Sequence, residues 1–597
     1  MIINKNLIHK AFIVLILLAS LSPKLNAIDN VSIRWFLISL CSTTYFFFNK
    51  RSINKYVIFF LIALIVPIFL IDNNIEQYLL TYSKYSLLII TFNFLVNSLA
   101  RLKSPLLFIS NLFVISLAVE SLVLLQDYII DPTSFTGISM NRNISSFSIL
   151  LKLPIVIYRI YFYNDSKIKK IIFNTIQYTS IISVIILQSR LAISLLMFMY
   201  FIIILRSRIN KKRLIIPFFS IIACLLLLLK SSNSILSSKQ FLPSNIYSDT
   251  SLLQRLDYVS NAVRLIKEKP FLGNGLGSWK VESLRFSEHG NSDVVIPYYV
   301  HNDFLQIFVE LGILGVLLYL SFFLFILKLL LRNKNEYDLN IFLFLSLFIF
   351  FINSNFNFPL NRPQEIIPFL IVAAIITACS QKSFINIKLK SIGLLPILFI
   401  LLSTVIISLK EHQSLVVQKT LLNDYYNKTY SGGFDNFSKI NYKFPSLASN
   451  TIPISTLLAR YSIEENKMNE TLKLIEYSDK VNSYDILTKQ LKLRSNLELG
   501  DFVSALTTSR ELFGLNNQNL VYADIFFTLS ASLQLNQNFE LSDIILTSDE
   551  LDIHKSFYKN YLLLENYNIE FVEKLIEISN NKFPSENFFN ELINSIK

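Results

Sequence analysis

Long apolar runs follow one another through the first two-thirds of the chain. Each run has about 16 to 24 residues, enough to cross a hydrocarbon core of about 30 Å as an α-helix. The composition agrees, since 52% of the 597 residues are hydrophobic, 16% are charged and the mean hydropathy is +0.48. A soluble protein would carry about one-quarter charged residues. The chain is therefore predicted to be a polytopic membrane protein.

The apolar runs predict thirteen spans. Their bounds are 8–22, 33–48, 56–71, 78–99, 106–128, 146–163, 171–187, 191–205, 214–229, 304–327, 340–357, 365–379 and 391–409. The first run also has the features of a signal peptide, with a charged start, a short apolar core and a small residue before the break. Cleavage there would leave twelve spans.

Alternate connections between the spans are basic, and the positive-inside rule places them in the cytoplasm. Residues 171–205 are almost continuously apolar, interrupted by "QSR" at 188–190, and both flanks are basic. A hairpin with Arg190 at its outer tip satisfies the rule, whereas one long helix does not. With an inside N-terminus, segments 230–303 and 411–597 both lie outside the cytoplasm.

Several function classes lack support in the sequence. The three cysteines lie in apolar runs with neither disulfide nor metal spacing. HExxH, Walker A and CxxC motifs are absent from the sequence. Residues 1–410 carry a net charge of +20 and residues 411–597 one of −7. Because the positive excess falls in short inter-span loops, it indicates topology rather than nucleic-acid binding, and we expect no metal and no cofactor.

The tail, 411–597, changes to mixed charge with apolar residues at helical spacing. Three similar units, among them "LKLRSNLELGDFVSALTT", recur at offsets of roughly 34 to 37 residues, the period of tetratricopeptide-type helix pairs. Gly500 alone supplies the turn glycine. An α-solenoid with a concave binding surface is predicted, and an ordinary helical cap on the membrane part is the alternative.

The external loop 230–303 is unusually long for a connection between spans, which favours a functional role. Within it, "TSLLQRLDYVSNAVRLIKEKP" predicts a helix. Leu252, Leu256, Val259, Val263 and Ile266 form one stripe at 100° per residue, with Arg255 at its edge. Arg264 lies about 180° from Arg255. We therefore expect Arg255 to face the protein or the membrane surface and Arg264 to face water. Arg255 suits either a phosphate ligand or lipid headgroups.

A glycine-rich turn, "FLGNGLGSW", and the stretch "VHNDFLQIFVELGILG" follow. The turn lacks GxGxxG spacing and a preceding strand, so it predicts a tight turn rather than a dinucleotide site. His301 falls at the outer mouth of a span, where it could take a proton from a hydroxyl or bind a diphosphate. Asn302 or Asp303 can cap the helix. Glu310 is ionisable within a span, hence either functional or a structural hydrogen-bonding group.

In this order, the motifs resemble those of the O-antigen ligase and O-antigen polymerase superfamily of bacterial envelope glycosyltransferases. The His-Asn start with Glu-x-Gly further on is the most specific likeness, and the likeness covers about residues 140–363. The motifs are "MNRNISSFSILLKLP" (140–154), "QSRLAISLLMF" (188–198), "QRLDYVSNAVRLIKEKPFLGNGLGSW" (254–279), "HNDFLQIFVELGILG" (301–315) and "SNFNFPLNRP" (354–363).

The resemblance implies an all-α, GT-C-like bundle of about 12–13 spans, occupying residues 1–410, with the helical repeat-like tail 411–597 outside the family's common core. It implies that Arg190 and Arg255, and more weakly Arg264, bind the diphosphate of an undecaprenyl-linked glycan. It places His301 at the reaction centre. Asn302, Glu310, Asn141 and Asn143 are possible supporting residues.

The implied activity is metal-independent, inverting transfer of a glycan at the periplasmic face of the bacterial inner membrane. The acceptor is a lipid A core or a protein hydroxyl, and the tail favours the protein. A polysaccharide polymerase is the alternative within the same class. A transporter of lipid-linked sugar is a more distant one, because it would need ionisable groups at mid-span. The sugar and the oligomeric state are not encoded in any motif.

Overall fold

The described part of the chain is mainly α-helical. The computed structural model describes residues 5–49, 53–70, 74–230, 250–286, 298–332, 336–380, 386–387, 394–516, 518–535 and 548–596. The predicted loop 230–303 lies partly outside these ranges. Its other histidine, His289, lies wholly outside them.

Every predicted span coincides with a helix. In chain order the helices are α1 Lys5–Ser20, α2 Val31–Phe48, α3 Lys55–Ile65 with a 3₁₀ turn Val66–Leu70, α4 Ile75–Leu99, α5 Pro105–Ile130, α6 Arg142–Phe162, α7 Lys167–Ile186, α8 Arg190–Arg206, α9 Lys211–Lys230, α10 Thr250–Glu268, α11 Trp279–Glu282, α12 Asp303–Arg332, α13 Tyr337–Phe356, α14 Pro363–Ser380 and α15 Leu395–Asn427. Helices α10 and α11 belong to the loop before α12.

Within the described residues, seven helices are long and apolar enough to cross a membrane, namely α2, α4, α5, α6, α12, α13 and α15. Apolar stretches of α1, α3 and α14 are shorter. Because lipid offers no hydrogen bonds, a spanning backbone must satisfy its own N–H and C=O groups, and an α-helix does so. The all-α, polytopic prediction is therefore confirmed.

Helix α6 lies at the centre of the bundle, packed against α5, α7, α13 and α14. Its residues 144–157 are buried throughout. Helix α1 enters the same core with Phe12, Ile13 and Ile16. Cleavage of the first segment as a signal peptide would remove these side chains from the core.

One short antiparallel strand pair interrupts the helical pattern of the described residues. Strand β1, Ile53–Asn54, pairs with β2, Asn386–Ile387, so that Ile53 faces Ile387. The pair ties the approach to α3 to the segment that follows α14.

Contacts divide the chain into two compact units, Met1–Ser283 with Pro297–Lys419, and Leu284–Ile296 with Thr420–Lys597. The domain roles predicted for the two parts of the chain stay predictions. The helices of the second unit after α15 are α16 Phe434–Phe437, α17 Ile454–Glu464, α18 Met468–Val481, α19 Ile486–Glu498, α20 Phe502–Leu515, α21 Leu520–Ser532, α22 Leu551–Tyr561, α23 Ile569–Lys582 and α24 Phe588–Ile596.

The tail turns recur with one geometry. Asn466, Gly500 and Gln534 all have left-handed backbone, with φ of 57°, 72° and 54°. After each, the next amide donates to a carbonyl five residues back: Lys467 to Ser462 at 2.8 Å, Asp501 to Asn496 at 2.9 Å and Leu535 to Ser530 at 3.0 Å. This six-to-one bond closes a helix in the Schellman manner. The chain thus repeats in conformation as well as pattern, while the tetratricopeptide-like assignment stays a prediction.

Candidate functional site

His301 occupies a strained bend immediately before α12. Its φ of 60° lies in the left-handed region, which non-glycine residues rarely adopt. Asn302 caps α12 as predicted, because its Oδ1 accepts the amide of Leu305 at 3.0 Å. The Asn302 Nδ2 donates to the carbonyl of Asn355 at 3.1 Å, which ties the cap to the end of α13. The bend therefore fixes where the imidazole lies.

Two aromatic rings enclose the His301 imidazole. Tyr258 on α10 is nearly parallel to it, with ring centroids 6.0 Å apart, and Phe358 meets it edge-on at 4.8 Å. Burial, helped by Arg255 and Arg362, lowers the pKa of His301 from 6.5 to about 4. The ring is therefore neutral at pH 7. Its Nδ1 is buried and has no hydrogen-bond partner among the described residues, so the hydrogen-bonding capacity of that atom is unused there.

Arg255 on α10 lies close enough to His301 to act on the imidazole electrostatically. It is half-buried, and its Nη1 donates to the carbonyl of Phe356 at 3.4 Å. The end of α13 thus attracts this cation in the way that helix C-termini attract positive charge. The contact holds the guanidinium at the edge of the site.

Arg362 is a second cation beside His301 that sequence reasoning missed. It lies in the turn between α13 and α14, over the Phe358 ring at 4.7 Å and the Tyr299 ring at 5.8 Å. One signal was available, since Arg362 directly precedes α14 and a cation at a helix N-terminus is electrostatically unfavourable. The motif "SNFNFPLNRP" is among those that carry the resemblance, but its arginine bears no predicted role.

Arg190 and Arg264 are both exposed, whereas the charges that act on the His301 imidazole are those of Arg255 and Arg362. Helix α7 ends at Ile186, Gln188 takes a left-handed conformation, and exposed Arg190 begins α8. The predicted hairpin is confirmed as two helices. Arg264 is exposed on the opposite side of α10 from Arg255, as predicted.

The protein-facing side of α10 differs from the predicted apolar stripe. Tyr258, Ala262 and Leu265 are buried, whereas Leu256 is 56% exposed and Val263 39% exposed. The stripe is therefore only partly covered by the described protein, and the buried side of α10 is the neighbouring one. Periodicity identifies an apolar face but not whether that face meets protein or lipid.

The glycine-rich turn clamps a break in α12. Gly312 has φ 65° and ψ −165°, which interrupts the helix. The carbonyls of Val309 and Glu310 accept the amides of Asn274 at 2.8 Å and Gly275 at 2.9 Å, and the amide of Ile313 donates to the carbonyl of Pro270 at 2.9 Å. The turn therefore replaces hydrogen bonds that the break removes from the helix.

Only glycine fits two of these turn positions. A Cβ on Gly273 would lie 2.5 Å from the carbonyl carbon of Glu310, and one on Gly277 would lie 2.7 Å from the carbonyl oxygen of Gln77 on α4. Both glycines also have positive φ. The segment is a packing turn against α12 and α4, in line with the rejection of a dinucleotide site.

Glu310 is linked to the His301 bend through Gln306. Its carboxylate is 1% exposed, and its Oε1 accepts from Gln306 Nε2 at 3.1 Å. Gln306 Oε1 in turn accepts the amide of Val300 at 3.3 Å. Glu310 therefore orders the residue before His301, which is the structural alternative considered for it.

Asn141 and Asn143 belong to the start of α6. The Asn141 side chain accepts the amides of Asn143 at 3.0 Å and Ile144 at 3.2 Å, a standard N-cap. Their observed contacts account for helix capping. A catalytic contribution by either residue stays a prediction.

Residues 178–320 match the family model described as O-antigen ligase. The matched region contains Arg190, α10 with Arg255 and Arg264, the glycine-rich turn, His301 and Glu310, and it ends before Arg362 and the tail. No curated protein matches the chain. Within the described residues, no group of three or more His, Cys, Asp or Glu side chains is placed to hold a metal ion.

Proposed function

Because this membrane protein carries an O-antigen ligase domain at residues 178–320, we propose that it transfers a glycan from undecaprenyl diphosphate to an envelope acceptor. The observation that carries the proposal is the His301 site, where a neutral imidazole, whose Nδ1 has no partner among the described residues, lies within electrostatic reach of the Arg255 guanidinium. Both residues lie inside the matched region. A diphosphate that leaves with negative charge needs nearby cations, and an attacking hydroxyl needs an acceptor for its proton.

The chemistry is an inverting displacement at the anomeric carbon. The acceptor oxygen forms the new glycosidic bond as the bond between that carbon and the diphosphate oxygen breaks, and the electron pair leaves with the diphosphate. Arg255, with Arg190 from the α7–α8 hairpin and a smaller contribution from Arg264, stabilises the departing charge. These groups replace the charge that a divalent cation would supply.

His301 orients the acceptor and takes up its proton. In the tautomer with hydrogen on Nε2, the unpaired Nδ1 accepts a hydrogen bond from the acceptor hydroxyl. An imidazole of pKa about 4 is a weak base, so the proton moves late, once attack has made the hydroxyl acidic. Positioning is therefore the larger contribution of His301.

The test is the envelope of a deletion strain that expresses either the wild-type or the His301→Ala protein. Glycolipids and glycoproteins are separated by size and probed for attached glycan. We expect attachment with the wild-type protein and a loss of about 10²–10⁴-fold with His301→Ala, the range for removal of an acid–base group. Equal attachment with both proteins would contradict the proposal.

The same strain separates a ligase from a polymerase, since the family match covers both kinds of enzyme. A ligase defect leaves polymerised glycan on the carrier lipid and none on the acceptor. A polymerase defect still delivers single repeat units to the acceptor. A transporter of lipid-linked sugar would instead move substrate across vesicles without forming a glycosidic product.

We place the reaction at the periplasmic face of the inner membrane, with the tail on the same side, because the basic connections favour a cytoplasmic location for the opposite ends of the spans. The acceptor is a lipid A core or a protein hydroxyl, and the paired helices of the tail support the protein option. Accessibility labels in 250–268 and in the tail test this topology. Labelling of 250–268 from the cytosol would overturn it.

A further inference from the structure

We propose that Arg362 is a phosphate-binding residue of the His301 site, and that it and Arg255 contact the two phosphates of the lipid-linked donor. The inference rests on the proposed function. The family match ends at residue 320, so the comparison assigns no role to this arginine.

Arg362 is a half-buried cation whose hydrogen bonds are incomplete within the described residues. Its Nε is buried and lacks a hydrogen-bond partner in that part of the chain. Glu365 lies close enough to Arg362 for an electrostatic interaction. Its Oε1, however, accepts a hydrogen bond from the side-chain Nδ2 of Asn353 at 2.9 Å. A buried donor without an acceptor is costly, and a ligand oxyanion would remove that cost.

Two stacked aromatic rings lie within cation–π distance of the Arg362 guanidinium. Tyr299 and Phe358 are parallel within 14°, with centroids 4.3 Å apart, and Arg362 lies over both rings. A cation–π contact uses the face of the guanidinium and leaves its N–H groups, which lie at the edge, for hydrogen bonds. The side chain is therefore held in place while its donors stay available.

His301 joins this stack to Arg255. Phe358 meets the imidazole edge-on at 4.8 Å, and both Arg255 and Arg362 act on His301 electrostatically. Two guanidinium groups thus lie within electrostatic reach of one neutral ring. Each planar fork matches two oxygens of a phosphate group. A diphosphate therefore offers one phosphate to each arginine, while the anomeric carbon of the attached sugar remains near His301.

The experiment measures binding of defined lipids to the full chain in phosphatidylcholine nanodiscs. The probes are undecaprenyl diphosphate, undecaprenyl monophosphate and phosphatidylglycerol, and the variants are Arg362→Gln and Arg362→Lys. Arg208→Gln is the matched control, because Arg208 is an exposed arginine at the α8–α9 connection, 3.9 Å from Asp338. Thermal unfolding without added lipid reports on folding.

We expect Arg362→Gln to weaken diphosphate binding by about tenfold or more, as for loss of a charge-assisted forked contact. Monophosphate binding falls less, because Arg255 alone can hold one phosphate. Arg362→Lys retains the charge and loses the fork, so its diphosphate affinity lies between those of the wild-type and Arg362→Gln proteins. It also serves as the informative variant if Arg362→Gln fails to fold. Arg208→Gln binds as the wild type does.

Three results would overturn the inference. If Arg362→Gln binds diphosphate as tightly as the wild type, the role of Arg362 is wrong and the proposed function stands. If phosphatidylglycerol binds the wild type as tightly as undecaprenyl diphosphate and the variant weakens both equally, Arg362 contacts ordinary lipid headgroups. If the wild type binds no undecaprenyl diphosphate, the proposed function fails as well.

Discussion

Two clusters of charged side chains in the unit Met1–Ser283 with Pro297–Lys419 differ in how completely their polar atoms are hydrogen-bonded. In the first, which we name the paired cluster, Lys152 Nζ donates to Glu120 and to the hydroxyls of Ser116 at 3.1 Å and Ser148 at 3.2 Å. Glu120 also accepts from Ser116 at 2.8 Å and Ser148 at 2.6 Å. In the second, the His301 site, His301 Nδ1 and Arg362 Nε have no described partner.

We interpret the fully hydrogen-bonded cluster as structural and the incompletely hydrogen-bonded His301 site as functional. The buried pair of Lys152 and Glu120 has its hydrogen bonds satisfied by neighbouring hydroxyls, needs no ligand for this, and joins α5 to α6. Buried polar atoms without partners are costly, and a bound ligand is one way in which they are satisfied. Burial alone would have ranked Glu120 and Lys152 above His301, because they are more deeply buried. Hydrogen-bond completeness separates these two clusters, and buried atoms elsewhere in the described residues, such as Glu310 Oε2 and Arg460 Nη1, also lack partners.

Breaking the paired cluster should give the largest loss of stability. Lys152→Met leaves the Glu120 carboxylate buried without its cation, which costs about 3–5 kcal/mol. Thermal unfolding in detergent measures the loss, and the double variant Lys152→Met with Glu120→Gln should recover much of it. Transfer per folded molecule should not change. Normal stability with abolished transfer would make this cluster functional and remove the contrast.

The reverse pattern is expected for Arg255→Ala. Removal of one group that stabilises transition-state charge lowers the rate by about 10²–10³-fold. The melting temperature changes little, because the hydrogen bond from Arg255 to the carbonyl of Phe356 is long, at 3.4 Å. Transfer from lipid-linked donor is measured beside Arg208→Ala, which should retain activity. An equal decrease in both variants would indicate a general effect of charge.

Gly312→Ala tests the frame that supports the His301 site. A Cβ there would collide with the backbone of Phe271 and Leu272, and φ is 65°. A non-glycine residue in such a conformation costs about 1–3 kcal/mol before the collision is counted. Unfolding measurements should show this loss, with Gly514→Ala as the control, because a Cβ on Gly514 meets nothing within 4 Å. Equal stability of the two variants would contradict the close packing of the glycine-rich turn against Gly312.

The smallest expected effect is in the pH profile. Because burial and the arginines lower the pKa of His301 to about 4, the transfer rate should not change across pH 6.5 through this residue. The contribution of neutral His301 to the free energy of unfolding is fully present above pH 6.5, and it is lost as the pH falls towards 4. Rate and unfolding are compared with those of His301→Gln. An inflection at 6.5 that His301→Gln removes would mean that the imidazole is solvated.

Much of the fold could be predicted from local pattern. Apolar length located the thirteen helices, charge alternation divided 171–205 into α7 and α8, and 100° per residue placed Arg264 opposite Arg255. These features depend on neighbouring residues. The repeating tail turn could be predicted only in part. Glycine at position 500 indicates a left-handed backbone, whereas Asn466 and Gln534 adopt the same left-handed conformation without a glycine to indicate it.

The parts of the site that were missed depend on contacts distant in sequence. Arg362 joins the site through Tyr299, Phe358 and His301, and no periodicity links these positions. The buried side of α10 depends on what α12 presents to it. Glu120 and Glu310 are alike in sequence, each an acidic residue in an apolar run, and only their partners distinguish them.

Glycan transfer by purified His301→Ala protein, per folded molecule, tests the central claim most directly. The assay uses an undecaprenyl-diphosphate-linked glycan and an envelope acceptor, with the double variant of the paired cluster measured beside it. The account predicts that His301→Ala keeps its melting temperature and loses about 10²–10⁴-fold in rate, while the double variant keeps its rate. A His301→Ala protein that transfers glycan at the wild-type rate would contradict it.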